Sequence, residues 1–171
     1  MSNATGYHST AAALRAAFDE SFAAPPAAAT PGLLQFLGFR IGSETLCVRL
    51  EEVEEVVLQS AVLPLPEQPP EMLGLAAVRG QIVPVFSLGG MLGYTPDPKS
   101  ETCILLCKSA EPVGLAVTAL QGQFQMPQSA LHVAGERAPQ RFVAAAVQHG
   151  DLQHWLVSFP AVLSALHERV R

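Results

Sequence analysis

Four prolines fall within seven residues at Pro64-Leu65-Pro66-Glu67-Gln68-Pro69-Pro70. Proline fixes φ and has no amide hydrogen, so this stretch excludes a long helix and a central strand. The chain on either side must therefore build its core from short pieces. Those pieces show a two-residue period. Leu37, Phe39 and Ile41 alternate with Gly38 and Arg40, Gly42-Ser43-Glu44 makes a turn, and Leu46, Val48 and Leu50 alternate with Cys47 and Arg49. Alternation of this kind predicts a hairpin from Phe36 to Leu50 with one buried face. Glu51 to Glu55 reads as a short acidic turn, followed by extended chain at 56–58 and 61–65.

Beyond the prolines, 73–78 and 82–86 flank Arg79-Gly80-Gln81, a second hairpin. Pro84 places that strand at a bulge or an edge. A helical turn is expected at 88–92 and a polar loop at 94–100. Residues 102–108 are apolar on both alternating faces, as in a fully buried strand. A strand at 113–120, a looser stretch at 121–140, and strands at 142–147 and 152–159 joined at His149-Gly150-Asp151 complete the series. Pro160 opens a final helix with Val162, Leu163, Leu166 and Val170 on its apolar stripe. Many short strands with one terminal helix predict a mostly β protein of small barrels.

Residues 1–32 form a separate Ala- and Pro-rich arm, with Leu14, Phe18 and Phe22 at the spacing of a short helix, and 33–171 form the domain. Charged residues are 15% of the chain against a typical ~25%. Such a surface covers itself with small or apolar residues, or buries part of itself against a partner. The formal charge is −5 and no Lys/Arg cluster occurs, which argues against nucleic-acid binding. No apolar run reaches the ~18–20 residues that span a bilayer, and no secretory signal is visible. Three cysteines are too few for a disulfide framework, and the expected location is the cytoplasm.

Catalytic signatures are missing. No Gly-rich phosphate loop, Gly-x-Ser-x-Gly elbow or His-Glu-x-x-His motif occurs. His149 and His154 flank the last turn and are read as surface residues rather than ligands of a shared metal. Cys103 and Cys107 on one strand lie ~13 Å apart, too far for a disulfide or a shared zinc. They are expected to be inert core thiols, with Cys47 unpartnered. Glu51, Glu52, Glu54 and Glu55 read as a solvated acidic turn beside Val53 and Val56. Arg79 follows five small or apolar residues at a hairpin corner. It reads equally as a local salt bridge and as an interface anchor.

At these residues the chain resembles the CheW-like family of chemotaxis coupling proteins, from about Phe36 to about Leu166. Val53-Glu54-Glu55-Val56 is similar to the family's Val-x-Glu-Ile, Gly74 to Gly80 to its Gly-Val-x-Asn-Leu-Arg-Gly, and Ile82 to Leu88 to its Ile-Val-Pro-Val-x-Asp-Leu. The resemblance implies two intertwined five-stranded SH3-like β-barrels with a C-terminal helix. It implies a non-enzymatic scaffold, without cofactor or metal. That scaffold would link the cytoplasmic tip of a methyl-accepting receptor to the regulatory domain of a CheA-type histidine kinase, in arrays at the inner face of the membrane. Partner contacts are implied at Val53, Glu55, Gly74, Val78, Arg79 and Gly80. Ala77, Ser87, Gly89 and Thr118 depart from the family's Asn, Asp, Arg and Asp. The Val78-Arg79-Gly80 form and the ending Trp155 to Pro160 are similar to adaptors of type IV pilus or other alternative arrays. The rivals are a single-partner inhibitor or decoy of the same fold, a detached kinase regulatory domain, and a cysteine enzyme.

Overall fold

A computed structural model describes residues 32–58, 60–95, 97–134 and 141–170. The N-terminal arm and its expected helix lie outside the described residues.

Among the described residues, twelve strands form two six-stranded sheets. The chain begins in the first sheet with β1 (Leu33–Ile41) and β2 (Glu44–Arg49). A 3-10 turn at Leu50–Glu52 carries it into the second sheet. There follow β3 (Val53–Leu58), β4 (Val62–Leu63), β5 (Met72–Val78), β6 (Gln81–Ser87), β7 (Cys103–Cys107) and β8 (Gly114–Val117). It then returns to the first sheet through β9 (Ala119–Pro127), β10 (Leu131–Val133), β11 (Val143–His149) and β12 (Leu152–Val157). Helix α1 (Leu88–Leu92) follows β6, and α2 (Phe159–Val170) ends the chain.

The first sheet runs β10-β11-β12-β2-β1-β9 and the second β3-β7-β8-β6-β5-β4. Each has five longer strands and one short edge strand, β10 or β4. The architecture is the mostly β, two-barrel SH3-like one, and the outward and return passages intertwine its halves. Each sheet has one parallel pairing, β12 on β2 and β6 on β8, where strands distant in sequence close the set.

Three apolar clusters explain this order. The central one lies between the sheets and takes Leu37, Phe39 and Val48 from the first, Phe86, Leu105 and Leu115 from the second, and Val162 and Leu166 from α2. The second fills the inside of the second sheet with Leu73, Val78, Val83, Ile104 and Leu106. The third fills the inside of the first with Phe36, Cys47, Val147 and Leu156. On β7 the two-residue period sends Cys103, Leu105 and Cys107 to the central cluster and Ile104 and Leu106 to the second. This is the fully buried strand that its sequence predicts.

Several expectations change. The first hairpin buries both faces, because Phe36 and Cys47 enter one cluster while Leu37 and Val48 enter another. The acidic turn ends at Glu52, and Glu54 and Glu55 belong to β3. The strand expected at 113–120 breaks at Thr118, where the chain changes sheets. Thr118 holds that junction: its amide donates to Arg40 O at 3.0 Å, and its Oγ1 accepts from Gly42 N at 3.2 Å. The stretch at 121–134 is not loose. Gln121, Gln123 and Gln125 alternate with Gly122, Phe124 and Met126 along β9, which pairs with β1. Residues 135–140 lie outside the described residues. Pro84 sits in an interior strand, but β8 pairs β6 only from Val85 onward. At Pro84 β6 is thus locally an edge, where a missing amide costs no ladder bond.

Candidate functional site: the β5–β6 hairpin face

The register Val78↔Gln81 closes the hairpin with the two-residue turn Arg79-Gly80. Both have positive φ, 50° and 79°, as a type I′ turn requires. Gly80 meets this at no steric cost, whereas Arg79 holds a left-handed conformation that disfavours side chains by ~1–2 kcal/mol. The turn sets Arg79 at the corner with its side chain 78% exposed, and its Nε lies 3.1 Å from Glu55 Oε2 on β3. β3 and β5 are separated in the sheet by β7, β8 and β6, so the sheet curls until its far edge meets the hairpin tip. Arg79 therefore makes the local ion pair that one of its two readings expects, and it does so at an exposed corner.

Inward-facing Gly74, Ala76, Val78, Val83 and Val85 leave Leu75, Ala77, Ile82 and Pro84 on the opposite face. That face continues from the central core and gradually loses its cover. At Met72↔Phe86 it is packed, at Leu75↔Pro84 half-buried, and at Ala77↔Ile82 open, with Ile82 71% exposed. Leu63 on β4, register partner of Leu75, adds an exposed apolar side chain beside it. The result is an apolar strip ending at the Arg79–Glu55 pair.

The other expected contact residues shape this surface from behind. Val78 is buried in the second cluster. Val53 is half-buried against the central core at an irregularity in the β3–β7 pairing. Gly74, at φ +138°, lies so close under β4 that a Cβ there would stand 2.1 Å from Leu63 O. Only glycine fits that approach. Leu63, Leu75 and Ile82 were absent from the expected set. Their signal was the alternation itself, since burying Val83 and Val85 forces Ile82 outward.

The departures from the family pattern have local explanations. Ser87 is buried, accepts from Gly90 N at 2.9 Å as the N-cap of α1, and donates to Glu101 Oε1 at 2.5 Å. Glu101 thus brings a carboxylate to the position beside the cap, and a Cβ on Gly89 would stand 3.3 Å from its Oε1. Glu101 Oε2 has no hydrogen-bond partner. Burial, and secondarily Asp97, pushes the Glu101 carboxyl up, against the Ser87 bond. Ala77 is exposed on the strip and offers no polar group there.

Glu52, expected to be solvated, accepts from Phe159 N at 3.0 Å and so ties the start of α2 to the first crossover. Burial raises its pKa, and the Phe159 bond opposes that shift. Arg169 near the end of α2 donates to Glu71 at 2.7 Å. Cys47, Cys103 and Cys107 are buried free thiols, and burial pushes them up to about 12, 11 and 12. A thiol so shifted is a poor nucleophile at neutral pH. Among the described residues no three His, Cys, Asp or Glu gather as metal ligands, and no helix is long and apolar enough to cross a membrane.

Two interleaved SH3-like sheets carry an apolar hairpin face tipped by Arg79. A family model of the CheW-like domain matches residues 35–165, and the chain belongs to that family. It is 32% identical over 88 residues to a probable chemotaxis protein CheW of Rhizobium etli, covering 50% of this chain and 57% of that one. It is 28% identical over 93 residues to chemotaxis protein CheW of Rhizobium meliloti, covering 53% and 60%. To that of Thermotoga maritima it is 26% identical over 98 residues, covering 57% and 65%. The chain thus spans less than two thirds of the length of these relatives. The scaffolding protein TtCheW of Thermoanaerobacter tengcongensis shares the fold, with a TM-score of 0.68 and 21% identity over 74% of this chain and 89% of that one.

Proposed function

We propose that this chain is a non-enzymatic adaptor that couples the cytoplasmic tip of a methyl-accepting receptor to the regulatory domain of a CheA-type histidine kinase. The observation that carries the proposal is the exposed strip Leu63-Leu75-Ala77-Ile82 ending at Arg79 and Glu55. An apolar surface with one Arg at its margin is the composition of an interface hot spot. Arg79 is exposed enough for a partner to compete for its charge, while Glu55 beside it is partly buried. Val53, Gly74, Val78 and Gly80 set the backbone that displays it. The adaptor works in the cytoplasm, in receptor arrays at the inner face of the membrane.

A reconstituted array tests this reading through kinase autophosphorylation. Adding the chain to receptor and kinase is expected to bring the kinase under receptor control. A fall in activity below that of the kinase alone identifies a single-partner decoy instead, a reading that the nonpolar Ala77 favours. No change in activity with no binding to either protein overturns both.

A further inference from the structure

The proposed coupling role leaves one polar cluster unused. It lies in the first sheet, at the end of the β11–β12 hairpin. His154 on β12 is 3% exposed, and its Nδ1 makes no hydrogen bond. Phe124 of β9 touches two imidazoles that also neighbour each other. Its ring stacks on His149 with centroids 4.5 Å apart and planes 9° apart, and it meets His154 at 4.9 Å. The two imidazole centroids are 6.1 Å apart. On its other side Phe124 stacks on fully buried Phe36 at 5.4 Å, so the cluster continues into the core of the sheet. Beside it opens a cavity of about 320 Å³, whose wall includes Gly38, Gly122, Gln123 and Leu152.

No acidic side chain lines the cavity to compensate a positive charge. From β1 the cavity receives Gly38, from β9 two glutamines, Gly122 and Phe124, from β11 His149, and from β12 Leu152. None is an acid. The register partner of His154 is Val147, and the core behind it holds the neutral Cys47 thiol. Asp151, in the turn between β11 and β12, is exposed.

We propose that His149, Phe124 and His154 form an acid-sensitive clamp. A proton on His154 releases the β11–β12 tip from β9 and loosens the first sheet, while the β5–β6 hairpin stays folded. Burial, and then the charge of His149, holds the His154 imidazole below its ordinary range, outweighing a hydrogen bond to the Leu152 backbone. As pH falls past about 6.5 the opened form takes the proton first. The stability of the closed clamp is therefore whole above that pH and lost as pH falls through the folded value. Each pH unit within that window favours opening about tenfold.

Histidine side-chain NMR and backbone amide exchange on the full chain, from pH 8 to pH 5, test the clamp. His154 is expected to titrate below the ordinary imidazole value of about 6.5. Protection in β9, β11 and β12 is expected to fall several-fold or more, with that in β5 and β6 unchanged. His154→Phe keeps a ring at the site and should abolish the differential. His149→Gln, at an exposed position, should raise the His154 titration midpoint and narrow the window of loss. The proposal is overturned if His154 titrates at or above about 6.5. It is also overturned if both sheets lose protection in parallel, or if His149→Gln leaves the His154 midpoint where it was.

Discussion

The two sheets have the same strand count and place their exceptional side chains in opposite ways. The second displays its own: Arg79 stands at an exposed corner beside Ile82, with apolar residues filling the interior behind them. The first hides its own: His154 is inside, orphaned at Nδ1 and packed on Phe124. An exposed guanidinium costs the fold little and is available to a partner. A buried imidazole costs the fold its charged state and makes that sheet responsive to protons. On the two proposals made above, one fold separates a surface for binding from an interior for response.

The comparison breaks most completely at Gly74. Gly74→Ala should destabilise the protein by about 3 kcal/mol or more, because the Cβ meets the β4 backbone and the φ is strained. Denaturant unfolding reads this directly, and a loss below ~1 kcal/mol would show that β4 yields. Arg79→Glu sharpens the contrast between surface and core. Binding to kinase or receptor should weaken about 30-fold, the ~2 kcal/mol of a hot-spot side chain. The melting midpoint should move by no more than about 4 °C, since an ion pair whose guanidinium is exposed contributes ~0–1 kcal/mol. Unaltered binding in a pull-down removes Arg79 from the site. Ile82→Asp should reduce the same binding about fivefold with no loss of stability. If it does not, the strip is not part of the contact.

Two smaller effects probe the interior. Glu101 has its carboxyl raised, so its contribution is whole at low pH and is lost as pH rises through its folded value. Glu101→Gln keeps an acceptor for Ser87 and should raise the midpoint near pH 7 by about a degree or two. That gain should vanish in acid, opposite in direction to the acid loss expected around His154. A destabilised variant at neutral pH would assign Glu101 a partner-binding charge within the fold. Finally, Cys47, Cys103 and Cys107 should take up a thiol reagent only on unfolding, and rapid labelling of the native protein would revive a cysteine enzyme.

Much of the second sheet was legible in the residues. The four prolines, the two-period runs around Arg79-Gly80 and the continuous apolar run at Cys103–Cys107 gave its hairpin and its buried strand. The first sheet was read less fully. Gln121 to Met126 carries a two-period pattern, but its polar members are glutamines and its glycine suggests a loop, so the local signal for β9 is weak. His154 follows a turn, which locally suggests a surface position; its burial depends on β9 lying across β1 and bringing Phe124 over it.

By itself the sequence determined which residues alternate, where the chain turns, and that Arg79 stands at a hairpin corner. These are local consequences of side-chain period and of proline and glycine geometry. Only the tertiary structure decided that Val117 and Ala119 belong to different sheets, that the first hairpin is buried on both faces, and that Glu55 and Arg79 meet. Each of these depends on strand order and sheet curl. Strand order and curl are set by how three cores fill together, and no window of neighbouring residues contains that information.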